Sequence, residues 1–139
     1  MIELREGGDV SPIAEAEARI FSDAWSESAV ASHMASGFTR TVTALWDGQF
    51  AGYLLGSLIP PEGEVYRIAV LPEYRSRGIA DALLSAFLAE TPVCFLEVRA
   101  SNTPARTLYE KHGFLLIDQR KRYYKNPTED ACIYKYEKA

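Results

Sequence analysis

The spacing of apolar positions changes period several times along these 139 residues, and each change predicts an element. Ile2 to Glu6 reads as a short strand. Ser11-Pro12 opens a helix, serine as N-cap and proline at the first helical position, where a missing amide leaves nothing unsatisfied; it runs to about Phe21. Ser26-Glu27-Ser28 opens a second, with a serine cap and an early carboxylate near the positive helix end, and Gly37 stops it. Phe38 to Trp46 and Phe50 to Leu58 are rich in β-branched and aromatic residues, and Asp47-Gly48 between them predicts an antiparallel hairpin. Pro60-Pro61-Glu62-Gly63 predicts a break, after which Glu64 to Val70 forms a fourth strand ending at Leu71-Pro72. Ala80, Leu83, Leu84, Phe87 and Leu88 recur at helical spacing, Pro92 closes that helix, and Val93 to Val98 follows as a strand. Thr103-Pro104 opens another helix that Gly113 ends. Phe114 to Arg122 and Asp130 to Tyr136 read as closing strands joined through Asn126-Pro127.

A strand, a helix and another strand with little spare chain imply a right-handed crossover, which makes the fourth and fifth strands parallel. The predicted fold class is therefore mixed α/β: a mainly antiparallel sheet with one parallel pair in the middle, flanked by helices. No repeat, low-complexity tract or Pro/Gly/Ser linker interrupts the chain, so residues 1–139 read as one domain.

Composition narrows the function classes. With 47% hydrophobic, 24% charged and 12% aromatic residues the chain reads as a folded globule. A net charge of -4 and a pI near 5.2 argue against a broad phosphate-binding footprint, so nucleic acid is not an expected partner. The opening Met-Ile-Glu-Leu-Arg-Glu carries charge where a signal peptide needs an apolar stretch, and no run approaches the roughly 18 apolar residues of a membrane span. A cytoplasmic location without membrane attachment is expected. Cys94 and Cys132 lie in apolar strand segments and read as reduced core thiols; zinc-ligand spacing is lacking and no metal is expected.

Several segments could carry chemistry. Arg75-Ser76-Arg77-Gly78-Ile79-Ala80 joins the fourth strand to the amphipathic helix. A loop feeding a helix N-terminus offers unpaired amides and the positive end of the macrodipole, a combination that binds pyrophosphate. Gly78 lets a ligand approach the backbone, and Ala80 is small enough for tight packing; a capped, solvated helix start is the competing reading. Glu97 shares a strand face with Val93 and Phe95 at the C-terminal end of a parallel strand, the end where ligands of α/β sheets bind. Desolvation there would raise its pKa toward that of a useful general base. A structural pair with Arg99, two residues on and on the same face, explains it equally well. Tyr109 reads first as a core aromatic whose hydroxyl needs a partner if buried, and Asn102 as an N-cap. His33 and His112 have no metal or nucleophile constellation, and His112 near a helix end suits the dipole. The run Arg120-Lys121-Arg122-Tyr123-Tyr124-Lys125 reads as a basic strand edge beside a loop, or as the lining of a substrate entrance.

Taken together, these segments resemble the GNAT acetyltransferases. Ile68-Ala69-Val70-Leu71-Pro72-Glu73-Tyr74-Arg75-Ser76-Arg77-Gly78-Ile79-Ala80 is similar to the family's strand-four end followed by its Q/R-x-x-G-x-G/A pyrophosphate loop, with Ala80 where glycine is frequent. Leu96 to Asn102 and Leu108 to Phe114 resemble the stretch that marks the RimI-type N-terminal acetyltransferases, as do Phe21 to Glu27, Tyr123-Tyr124 and Asp130-Ala131. The stretch from crossover helix to fifth strand is several residues shorter than in typical members. The resemblance implies the GNAT fold, with the parallel strands splayed and acetyl-CoA as cosubstrate in the gap. Backbone groups of Ile68, Ala69 and Val70 would hold the pantetheine, amides of Ser76, Arg77, Gly78, Ile79, Ala80 and Asp81 the pyrophosphate, and Asn102 would touch the cofactor. It implies Glu97 as general base and Tyr109 as general acid in a direct transfer, amides near Val70 holding the developing oxyanion.

The acceptor implied is a protein or peptide N-terminus, within the RimI type the N-terminal alanine of a small-subunit ribosomal protein. That suits acid–base chemistry: an α-amino group is about one-tenth neutral at pH 7, a lysine only about once in a few thousand. A GNAT branch acting on a small amine such as a polyamine or antibiotic, and a non-catalytic CoA-binding sensor, are the alternatives. A wide acidic acceptor cleft would favour the first, and retention of both Glu97 and Tyr109 counts against the second. Monomer and homodimer are both open.

Overall fold

Asp47 and Gly48 take φ of 48° and 82°, the pair of left-handed conformations that a two-residue hairpin turn demands, and they join two long strands in a computed structural model that describes residues 1–139. The elements run β1 (Ile2–Glu6), α1 (Val10–Ile20), α2 (Glu27–Ala35), β2 (Thr39–Trp46), β3 (Gln49–Ile59), β4 (Glu62–Val70), α3 (Ile79–Ala89), β5 (Val93–Arg99), α4 (Thr103–Lys111), β6 (Leu115–Tyr124) and β7 (Glu129–Glu137). The seven strands form one sheet in the order β1-β2-β3-β4-β5-β7-β6, antiparallel throughout except for the β4–β5 pair. No helix is long and apolar enough to cross a membrane.

The sheet carries a core on each face. Ile79, Leu83, Leu84, Phe87 and Leu88 of α3 and Tyr109 of α4 pack with Leu54, Val65, Leu96 and Tyr134 of the strands. Ile13 and Ala16 of α1 and Val30 of α2 pack with Tyr53, Leu55 and Ala69 on the other face. Cys94 and Cys132 are buried free thiols in the larger core. Arg40 ties the far end of α3 to the sheet: it donates to Phe87 O at 3.0 Å and Ala86 O at 3.4 Å, lies 5.2 Å from the Phe87 ring, and pairs with Glu6 and Glu90.

Three local expectations need correction. α1 begins at Val10 with Asp9 as N-cap, so Ser11 and Pro12 lie inside the first turn and Ser11 caps nothing. Ser26 does cap α2, accepting from Ala29 N at 3.1 Å, but Gly37 does not stop the helix: Ser36 is its C-cap, and Phe38 takes the left-handed φ of 62°. The segment Pro60 to Gly63 is not a loop. Ile59 pairs with Glu62 and Leu58 with Gly63, leaving Pro60-Pro61 as a tight turn, because two residues without amides suit a hairpin tip as well as a break.

Candidate active site

The site originates in a failure of strand pairing. β4 and β5 pair only from Glu62↔Val93 to Val65↔Leu96. At that point β4 bulges: Gly56 of β3 opposes Val65 and Leu55 opposes Arg67, so Tyr66 is the extra residue. Beyond the bulge β4 stays with β3 up to Gly52↔Val70, while Glu97, Val98 and Arg99 of β5 stay with Ile133, Cys132 and Ala131 of β7. The two strands therefore diverge and leave a gap in the middle of the sheet.

The free edge of β4 can be read from its alternation. Leu71 N donates to Ala51 O at 2.8 Å, so Leu71 and, two residues back, Ala69 direct their backbone groups to β3. Ile68 and Val70 direct theirs into the gap. The carbonyl of Val70 accepts from Arg75 Nε at 3.1 Å, folding the following loop back over the strand end. Of the three residues singled out on β4, Ile68 and Val70 present backbone to the gap and Ala69 contributes its small side chain.

Two cavities meet across this gap. One, of about 540 Å³, runs from Ile68 and Val70 to the loop at Ser76 and Gly78, the start of α3, and Asn102 and Leu108 on the α4 side. Ser76 and Gly78 have φ of 64° and 78°, which turns the chain sharply into α3. Gly78 is the N-cap and supplies no side chain, so the first-turn amides of Ile79, Ala80 and Asp81 have no capping group, and a Cβ at Gly78 would meet nothing within 4 Å. An unobstructed helix N-terminus at the end of a largely apolar channel suits a ligand with a diphosphate and a long uncharged arm, as coenzyme A has. Arg77 points elsewhere, its guanidinium 4.8 Å from the Trp46 ring and 5.7 Å from that of Tyr74, so only its backbone can serve this cavity. Asp81 is fixed from below by His112 Nε2 at 2.8 Å and Lys111 Nζ at 3.0 Å, and those bonds hold its carboxyl below the usual range. His112 thus does more than suit a helix dipole: it links the start of α3 to the end of α4. Asn102 caps α4 through Ala105 N at 3.3 Å and also lines the cavity.

The other cavity, of about 450 Å³, holds Glu97 and Tyr109 together, with Ile68 and Phe21 shared between both cavities. Glu97 does not pair with Arg99. Its Oε1 lies 3.5 Å from Arg120 Nη1, and its carboxylate raises the pKa of the Tyr123 phenol by hydrogen bonding. Arg99 instead donates to the carbonyls of Pro127 and Lys125 at 3.0 and 2.9 Å, lies over the Tyr124 ring and pairs with Glu129. Those partners come from the β6–β7 connection, which sequence alternation along β5 could not reveal. Tyr109 is 6% exposed and packs beside Phe114 and Tyr134, yet its hydroxyl makes no hydrogen bond within the protein and borders the cavity. Burial raises its pKa, so it holds its proton. Glu64 also borders this cavity; burial, and next the charge of Glu97, raise its pKa. Five more aromatic rings line it, Phe21 and Trp25 from the α1–α2 connection, Tyr66 at the bulge, and Tyr123 and Tyr124 at the end of β6, together with the charged Asp23, Arg67 and Arg99. Glu64, Tyr66 and Arg67 escaped sequence reasoning: Glu64 and Tyr66 alternate along β4, but the bulge at Tyr66 breaks the period before Arg67. Of the run Arg120 to Lys125, Tyr123 and Tyr124 line this cavity.

A carboxylate and a protonated phenol facing one cavity, beside a channel ending on free amides, suit a transferase that takes one ligand in each cavity. Residues 10–114 match the acetyltransferase (GNAT) family, and the chain belongs to that family. Its relatives place it among the N-acetyltransferases. It is 38% identical over 131 residues to N-alpha-acetyltransferase RimI of Mycobacterium tuberculosis, covering 88% of this chain and 83% of the relative. It is 32% identical over 135 residues to the ribosomal protein bS18-alanine N-acetyltransferase of Escherichia coli strain K12, covering 94% and 89%. The crystal structure of the ribosomal-protein-S18-alanine N-acetyltransferase from Escherichia coli superposes with a TM-score of 0.91 at 29% identity, over 99% of this chain and 94% of that one.

Proposed function

We propose that this chain transfers an acetyl group from acetyl-CoA to the N-terminal α-amino group of a protein or peptide, with an alanine-initiated ribosomal protein N-terminus as the physiological acceptor. The observation that carries the reading is the meeting of the two cavities at Ile68, with Glu97 and Tyr109 on the acceptor side and the uncapped start of α3 at the far end of the donor side. The similarity to N-terminal alanine acetyltransferases supports the choice of acceptor. One domain, 1–139, carries the whole activity in this reading.

Bound acetyl-CoA supplies a thioester as acetyl donor. Amides of Ser76 to Asp81 would hold its diphosphate, the outward backbone of Ile68 and Val70 and the side of Asn102 its arm. Glu97 takes the proton from the acceptor's α-ammonium, directly or through water, and the freed amine attacks. The amide of Val70, fixed by the strand, is a preorganised donor for charge developing on the acyl oxygen; removing one such donor costs about 3–4 kcal/mol in characterised enzymes. Tyr109 Oη holds a proton toward the leaving sulfur. Burial raises the Tyr109 pKa, so the phenol keeps its proton and stabilises the leaving thiolate by a hydrogen bond; as the C–S bond breaks, the second proton of the attacking nitrogen passes to water, leaving a neutral amide and a thiolate that solvent protonates.

Thiol release measured with peptides beginning in Ala, Ser or Met, acetyl-blocked Ala, and spermidine tests the reading. Turnover on free Ala or Ser peptides that falls in Glu97→Gln and Tyr109→Phe is expected. Turnover on spermidine alone would move the acceptor to small amines; the cavity's three carboxylates, Asp23, Glu64 and Glu97, are accompanied by Arg67 and Arg99. Tight coenzyme binding without turnover would leave a CoA sensor.

A further inference from the structure

The acceptor wall contributed by Phe21, Asp23 and Trp25 belongs to a connection with no helix or strand of its own, yet it must hold its shape against a substrate. Its anchors converge on one buried group. Glu17 of α1 is completely buried. Its Oε1 accepts from Trp25 N at 3.0 Å and its Oε2 from Tyr53 Oη at 2.5 Å. Arg67 of β4 donates through Nε to both oxygens, at 3.1 and 3.2 Å. The same guanidinium donates through Nη2 to Asp23 O at 2.9 Å and lies 3.8 Å from the centre of the Phe21 ring. One carboxylate and one guanidinium thus reach Phe21, Asp23 and Trp25 at once.

We propose that Glu17 and Arg67 are positioning residues that clamp the Phe21–Trp25 segment to β4 and so set the shape of the acceptor site. The inference rests on the N-terminal acceptor reading above. A planar fork can pair with a carboxylate, donate to a carbonyl and stack on a ring simultaneously; a lysine ammonium supplies the charge without that geometry. Arg67→Lys keeps a cation beside the buried Glu17 and loses the contacts to Asp23 and Phe21. Leaving Glu17 without any partner would instead strand a buried charge. Asp23 and Trp25 line only the acceptor cavity, while Phe21 lines both, and donor-side Ser76 and Gly78 make none of these contacts, so the larger defect should fall on the acceptor.

The test is a steady-state comparison of wild type, Arg67→Lys and Glu17→Gln/Arg67→Gln, the last a variant with both charges gone so that folding does not depend on the pair. The expected result is a KM for an Ala-initiated peptide raised about tenfold or more in both variants, with the KM for acetyl-CoA within about twofold of wild type. A second readout needs no turnover. The chain has two tryptophans, so in a Trp46→Phe background the emission reports Trp25 alone, and its quenching by acrylamide should rise in both variants. An unchanged peptide KM, an equal rise in both KM values, or unchanged Trp25 quenching overturns the clamp. If wild type acetylates no free peptide N-terminus, the acceptor reading fails instead, and Trp25 quenching still decides whether the clamp exists.

Discussion

Glu97→Gln keeps the shape of the side chain and removes its capacity to accept a proton, so its effect should depend on how the amine arrives. A positioned general base contributes about 10²- to 10⁴-fold. That contribution is needed only while the acceptor is an ammonium. With an ordinary α-amino pKa of about 8, roughly one-tenth of the acceptor is neutral at pH 7 and roughly nine-tenths at pH 9. Raising the pH should therefore return up to about tenfold of the lost rate: a deficit in kcat/KM of about 10³ at pH 7 should shrink toward about 10² at pH 9. Glu97 lines the acceptor room and not the donor room, so the KM for acetyl-CoA should not move. The assay is thiol release on an Ala-initiated peptide from pH 6.5 to 9.5, wild type beside variant. A deficit of the same size at every pH, or one carried by acetyl-CoA KM, would refute proton abstraction by Glu97.

Gly78→Ala should weaken coenzyme binding, measured by calorimetry, and lower stability by about 1–2 kcal/mol: the added methyl has room, but the left-handed φ of 78° opposes a side chain. Arg40→Ala should lower stability by about 1–3 kcal/mol in urea denaturation, because the side chain is 12% exposed, its hydrogen bonds to the carbonyls of Ala86 and Phe87 are lost, and only Phe87 O keeps a side-chain donor, Thr91 Oγ1. Asp81 has a folded pKa below its unfolded value of 3.8, so its contribution is present above that value and lost as pH falls through the folded pKa. Asp81→Asn should accordingly be less stable than wild type near neutrality and should flatten the decline of the thermal midpoint below about pH 4.

The cavity at the start of α3 was legible because it is local. A strand end, a glycine at a sharp turn and the start of an apolar helical stripe lie within thirteen consecutive residues, from Ile68 to Ala80, and the crossover handedness fixes how they face β5. Of the second cavity, only Glu97 and Tyr109 were singled out in the sequence for a shared role. Its walls come from the α1–α2 connection, the β4 bulge and the end of β6, three segments brought together by the sheet order rather than by proximity in the chain. The pairings of Arg99 with Glu129 and of Asp81 with His112 were hidden for the same reason: each spans about thirty residues, and alternation within one strand or helix says nothing of what packs against its end. The break at Pro60-Pro61 was read correctly but drawn two residues too long, since proline marks where a ladder bond is missing without saying how soon the chain rejoins the sheet, here at Glu62.

An unpaired strand edge is ordinarily a hazard, a template onto which another chain can zip. Here the vacant rim of β4 lies inside the sheet, at the bottom of a notch whose opposite side is β5, already engaged by β7 along Glu97 to Arg99. A foreign strand seeking to pair there would have to enter edge-on between two strands of the same molecule. A slender, extended chain with hydrogen-bonding groups but no neighbours of its own can do so. The bulge at Tyr66 thereby converts an adhesive border into a filter that admits thread and refuses fabric.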